Sequence, residues 1–183
     1  MLRTALAASL LLVPLTGCTG GSEDPDGAPA PGPAGAAAEV RDGLAALYAG
    51  DHASATDTAD GECFADALLA EVPVEELEAA GVLVDGSVAP TSPALEPALA
   101  EQWVDAMFGC MDFVEESARA QVAFTKGKVD WREYAACLRD ALDEDAVRDA
   151  VVGTLTGDWG SPAVAALTDA QADCSASATP TTG

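Results

Sequence analysis

Apolar side chains recur along this chain at helical intervals. Val40, Leu44, Ala45 and Tyr48 stand at i, i+4, i+5 and i+8, which predicts a one-faced helix over residues 38–49 that Gly50 ends. A second helix starts between Thr58 and Asp60 and places Cys63, Phe64, Ala67 and Leu68 on one side. Pro73 breaks it, because proline is tolerated in the first turn of a helix but not inside one. A short helix showing Leu77 and Ala80 stops at Gly81, and Val82 to Pro90 reads as a partly extended loop. Ser92-Pro93 then forms a cap with an N1 proline, unless Pro97 delays the start. Leu99, Trp103, Ala106, Cys110 and Val114 follow at i, i+4, i+7, i+11 and i+15, the longest apolar stripe, and predict a central helix.

Asp130 with Glu133 is a variant of the capping box before Tyr134, Cys137, Leu138 and Ala141. Asp143 to Asp145 marks a restart, Val147, Ala150, Val151 and Leu155 run to a stop at Gly157, and Ser161-Pro162 caps the stripe Val164, Leu167, Ala170, Cys174. β-branched residues nowhere alternate long enough to make a sheet, so the expected fold class is all-α.

The pattern is written twice. Cys63-Phe-Ala-Asp66-Ala67-Leu68 matches Cys137-Leu-Arg-Asp140-Ala141-Leu142, and Val104-Asp105-Ala106 with Cys110 matches Thr168-Asp169-Ala170 with Cys174. The expectation is a small disulfide-stapled helical bundle of two pseudo-repeated units. Four cysteines allow three pairings. Cys110 and Cys137 sit at unequal distances from the turn between them, an offset of about 10 Å, against the ~7 Å between Cα atoms that a bridge tolerates. Pairing Cys63 with Cys137 and Cys110 with Cys174 needs non-local closure of both copies. The preferred bridges are therefore Cys63–Cys110 and Cys137–Cys174, each closing one copy.

The N-terminus carries a different signal. Met1-Leu-Arg3 is a short positive segment, and Thr4 to Leu15 is apolar but too short to span a membrane. It ends in Leu15-Thr16-Gly17-Cys18, which matches a bacterial lipobox at every position, and the first 21 residues resemble those of bacterial lipoproteins. The resemblance implies removal of a signal peptide (1–17), diacylglyceryl attachment to the Cys18 thiol and acylation of the new amino group. With about 0.8 kcal/mol per buried methylene, such chains would anchor the protein almost irreversibly. Residues 18–38, rich in Gly, Ala and Pro, read as the lipidated cysteine and a disordered tether. Residues 39–175 are the expected helical domain and 176–183 a disordered tail. The chain has no Ile or Asn and only two lysines, Lys126 and Lys128, which points to a GC-rich genome such as an actinobacterial one, with a salt-adapted source as the second reading.

Charge and candidate chemistry narrow the function classes. Eight basic residues face 31 acidic ones, a net charge of −23. That field repels DNA, RNA and anionic lipid head groups and favours cationic partners or divalent ions, so no nucleic-acid partner is expected; the plainer reading is that the acids keep helices soluble. No two cysteines stand at the two-to-four spacing of zinc or iron–sulfur ligands, so neither metal nor cofactor is expected. His52, the single histidine, lies in a polar loop with no nucleophile motif, and no catalytic residue is assigned. Asp143-Glu144-Asp145 reads as a helix cap rather than a calcium loop, and Asp112, Glu115 and Glu116 as a solvated face. Among the tryptophans only Trp159, in Gly157-Asp-Trp-Gly160, is expected to be exposed and to make a contact. The expected function is a non-catalytic, lipid-anchored binding module of the cell envelope, with a protein partner or a small ligand. A carboxylate-dependent envelope hydrolase and a purely structural surface lipoprotein are the alternatives.

Overall fold

The computed structural model describes residues 33–51, 53–91 and 93–180. The signal segment, Cys18, most of the expected tether, His52 and residues 181–183 lie outside the described residues. Eight helices and one minimal hairpin follow in order: α1 Pro33–Ala49, α2 Ala55–Glu71, α3 Val74–Ala79, β1 Leu83–Val84, β2 Ser87–Val88, α4 Pro97–Phe108, α5 Phe113–Phe124, α6 Trp131–Ala141, α7 Glu144–Leu155 and α8 Pro162–Ser177. The fold is all-α. The hairpin turns on Asp85 and Gly86, both at positive φ (51° and 75°), the pair of left-handed residues that a tight two-residue turn requires.

The doubled pattern is a doubled chain path: α2, α3 and α4 correspond to α6, α7 and α8. Both first helices end on an extended residue, Val72 and Leu142, whose amides donate to Leu68 and Leu138. The second helix of each copy starts at the next residue but one and closes on a glycine at positive φ, Gly81 (75°) and Gly157 (77°). In each case the following amide reaches back across the turn, Val82 to the Leu77 carbonyl and Asp158 to the Gly153 carbonyl. Cys63–Cys110 (Cα separation 5.7 Å) staples the first copy and Cys137–Cys174 (5.5 Å) the second.

The interior is divided in two. One cluster takes Val40 and Leu44 from α1, Phe64 and Leu68 from α2, Leu77 from α3, Leu83 from the hairpin, and Leu99 and Trp103 from α4. The other gathers Ala118 from α5, Val129, Tyr134 and Leu138 around α6, and Ala170 and Cys174 from α8. Helix α7 joins them: it packs on α8 and α4, its Val152 and Leu155 lean on the first cluster, and the Leu155 carbonyl accepts the Leu95 amide at 2.8 Å.

Several boundaries differ from the sequence expectation. The long stripe is not one helix: α4 ends at Phe108, Gly109 caps it, and α5 starts afresh behind Asp112, whose carboxylate accepts the Glu115 amide. Cys110 therefore sits in the gap, held to Cys63. Ser92-Pro93 is not the start of α4; Glu96 is the N-cap and Pro97 takes N1, since a proline fixed inside a helix costs about 3 kcal/mol or more. Helix α2 begins at Ala55, earlier than expected, because Ser54 and Asp57 form a reciprocal capping box. Helix α1 begins at Pro33, so residues 33–38 of the expected tether are helical. The expected tail is also shortened: α8 runs to Ser177, Ala178 is buried, and its carbonyl accepts the Asp130 amide at 2.9 Å.

Candidate functional site

Two clefts flank the junction between α4 and α5, and Met111 lines both. The first, about 490 Å³, lies between the end of α4 and the starts of α5 and α7, with Arg139 of α6 at its edge. Phe108 and Phe113 stack at its apolar wall with centroids 6.0 Å apart, and the Arg148 guanidinium lies 4.7 Å from the Phe108 centroid. Its polar groups are engaged. Arg139 reaches Asp112 at 3.2 Å and Glu115 at 3.7 Å, while Arg148 binds Asp105 at 2.6 Å and Glu144 at 3.2 Å. Partial burial works against the Asp112 charge, yet the Glu115 amide and Arg139 together hold its carboxyl below the usual carboxylate range.

The second cleft, about 420 Å³, is walled by Leu47, Trp103, Met107 and Leu155, with Asp57, Asp60 and Glu116 around it. Arg119 of α5 gathers these acids: it lies 3.4 Å from Asp57 and 3.8 Å from Asp60, both on α2, and it pairs with Glu116 one turn earlier on its own helix. Tyr48 also lines this cleft. Its ring stacks on Phe64 (4.8 Å), which in turn tilts against Trp103 (5.0 Å). Its hydroxyl is buried without a hydrogen-bond partner. Burial, reinforced by Asp60 and Glu116 and opposed by Arg119, pushes the phenol up to about 12, so it stays neutral and available as a donor.

The residues singled out from sequence fall in separate places. The four bridged cysteines are structural ties within the two copies. Trp159 is 68% exposed in the turn before α8 and lines neither cleft. Trp103 is core, as its place on the stripe implied, but Trp131 is also exposed at 47%, which the sequence did not suggest. Asp143 caps α7 by accepting the Ala146 amide, and Asp112 caps α5, so both carboxylates first seen as clusters serve helix starts. Among the described residues no group of three His, Cys, Asp or Glu is placed to hold a metal ion. The sequence pattern marks Tyr48 only as part of the apolar face of α1, and it does not single out Met111 or the ion-pairing arginines. For the arginines, scarcity among so many acids was the available signal, although it does not say which of them pair.

The chain matches no known protein family, no curated protein and no solved structure.

Proposed function

We propose that this protein is a lipid-anchored, non-catalytic binding module on the extracytoplasmic face of the cell membrane. The observation that carries the reading is the pair of bridges, one closing each helical unit, because such bridges persist in oxidising compartments outside the cytoplasm. Leu15-Thr16-Gly17-Cys18 supports the anchor and the cleaved signal peptide, with palmitate-like acyl chains on Cys18.

The clefts support binding over acid–base catalysis. A general acid working near neutral pH needs a carboxyl raised from its usual range. The carboxyls with resolved shifts, Asp57, Asp66 and Asp112, are all lowered, by helix-cap amides and by arginines. The remaining cleft character is apolar and aromatic, which suits a small ligand or an inserted side chain of an envelope partner.

Detergent phase partitioning of the chain expressed in a bacterium tests the anchor. The wild type should enter the detergent phase as a processed, acylated protein, whereas Cys18→Ala should stay aqueous or unprocessed. A variant that still partitions as a matured lipoprotein would refute the anchor. Cross-linking in intact cells then identifies the partner; recovery of the domain only with cytoplasmic proteins would refute the location.

A further inference from the structure

The described basic residues divide into two groups. Arg41, Arg119, Arg139 and Arg148 all form ion pairs. Lys126, Lys128 and Arg132 form none among the described residues, and all three are exposed on or beside the turn between α5 and α6. Both lysines of the whole chain are therefore in this one turn. Two large aromatics bracket it: Phe124, 83% exposed at the last position of α5, and Trp131, 47% exposed at the first position of α6. The Arg132 guanidinium lies 5.5 Å from the Trp131 ring.

The turn is firmly seated. Lys126 and Gly127 take positive φ (55° and 76°), the Gly127 amide closes on the Val122 carbonyl at 2.8 Å, and Val129 is buried in the second core cluster. The acid within it, Asp130, has its carboxylate turned to the Arg132 and Glu133 amides. Glu133, exposed on α6, closes the patch on that side. A protein with a net charge of −23 thus presents a firmly seated turn, a tip of three cations without ion-pair partners among the described residues and two exposed aromatic rings.

We infer that this tip is a docking surface for an anionic lipid bilayer. Tryptophan settles at the headgroup level, phenylalanine enters the acyl boundary, and lysine and arginine pair with anionic headgroups. The charge arrangement also orients the domain. At physiological ionic strength fields decay over about 8 Å, so a tip in contact feels the surface while acidic faces farther away are screened. The placement rests on the lipid-anchor reading, and the chain length allows it. The 15 residues from Cys18 to Pro33 span at most about 50 Å when extended. That exceeds the ~15 Å radius of gyration of a domain this size, so any face can turn to the membrane.

The test uses the mature chain from position 18 with Cys18→Ser, so that no acyl chain contributes, and phosphatidylcholine vesicles with or without phosphatidylglycerol. The parent should co-sediment with the anionic vesicles and not with the neutral ones. Lys126→Glu with Lys128→Glu should lower partitioning at least about tenfold, since each basic residue near such a surface is worth about fivefold. That loss should disappear at high salt, where the charges are screened, whereas the loss from Phe124→Ser should persist. Brominated lipid should quench a fluorescence component that Trp131→Phe removes. Circular dichroism and disulfide mapping confirm that the variants fold. Equal partitioning of parent and tip variants, or no preference for anionic vesicles, overturns the assignment. So does a tip that leaves vesicle binding unchanged but controls a cross-link to an envelope protein. Because Cys18 is replaced throughout, this result is independent of whether the wild-type chain is acylated, and each reading can fail alone.

Discussion

Between Cys63 and Cys110 the chain buries Phe64, Leu68, Val72, Leu77, Leu83, Leu99 and Trp103. Between Cys137 and Cys174 the buried side chains are Leu138, Val147, two alanines and Cys174 itself. The two copies share their break, their glycine stop and their bridge, yet the first buries many large side chains and the second few beyond Tyr134 and Leu138. The first unit also receives α1 as a cover, while the second borrows Ala118 from α5 and adds polar ties. Ser117 and the Tyr134 hydroxyl lie 3.0 Å apart, Gln171 donates to Ser117 at 3.2 Å, and Gln121 donates to Ser175 at 2.5 Å. Burial of a large apolar side chain contributes about 1.5–3 kcal/mol and an alanine far less. The same covalent closure therefore adds to a larger core in unit one and supports a smaller one in unit two.

Removing the bridges one at a time gives the largest effect and the most direct attack on this contrast. In the chain-entropy picture, bridges 47 and 37 residues apart in sequence each contribute about 4 kcal/mol, so their covalent terms nearly cancel in the comparison. Cys137→Ala with Cys174→Ala should therefore expose α6 and α8 to fast hydrogen exchange while α1, α2 and α4 stay protected. Cys63→Ala with Cys110→Ala should lower stability by a similar amount but leave unit one folded. Equal loss of protection in both units under both pairs would break the comparison.

Each core cluster has one tyrosine, Tyr134 buried within the second and Tyr48 of α1 packed half-buried against the first, and the two hydroxyls are opposites. Tyr134 faces Ser117, so Tyr134→Phe should cost about 1 kcal/mol in denaturant unfolding. Tyr48 has no partner, so Tyr48→Phe should be neutral or stabilising by up to about 1 kcal/mol. Ionisation adds an alkaline signature. The folded phenol at Tyr48 is raised to about 12 from an ordinary value near 10, so its neutral form is the one the fold favours. Stability linked to it is intact below about pH 10 and lost as pH rises through about 12. Tyr48→Phe should remove that alkaline loss, read as the change in unfolding midpoint between neutral and alkaline buffers. A Tyr48→Phe variant that is strongly destabilised would show instead that the hydroxyl is satisfied.

The acid limb separates the units by a smaller margin. Asp57 is lowered by the Ser54 backbone and hydroxyl, Asp66 by Arg41, and both lie on α2 of unit one. A carboxyl depressed in the folded state adds stability above its unfolded value near 4, and that stability is lost as pH falls through the lower folded value. Hydrogen exchange in α1 and α2 should therefore accelerate before that in α6 and α8 as the pH drops below about 4. The reverse order would mean that the second unit carries the decisive acid-sensitive contacts.

The parts of this fold legible in the sequence are those set by local rules. Helical spacing, the glycine stops at Gly81 and Gly157, and the repeated place of each cysteine relative to a helix break suffice for two stapled all-α units. The junction at Gly109 to Asp112 was not legible, because Leu99, Trp103, Ala106, Cys110 and Val114 keep a helical period straight across it. What interrupts the helix is a tertiary tie through Cys110 and a cap at Asp112. The clefts were illegible for the same reason: Arg119 chooses Asp57 and Asp60 from another helix, and no spacing rule connects them. The α5–α6 tip lies between. Its lysines are visible in composition, but that they lack partners among the described residues, while the arginines around Asp105 and Asp112 have them, is visible only in three dimensions.

Both bridges join neighbours in chain order among the four bridged cysteines, Cys63 to Cys110 and Cys137 to Cys174. On the exported reading proposed above, a polypeptide that emerges from a membrane pore N-terminus first would present Cys63 and Cys110 together before Cys137 had appeared, so oxidation in order of arrival would yield the native pairs. No disulfide would then need to be broken and remade, so a disulfide or other two-electron acceptor would suffice without an isomerase. Cys18 is the thiol that would spoil this order, because it arrives before all the others. On the reading proposed above, acylation removes it from the reaction and leaves an even set to pair by proximity in time.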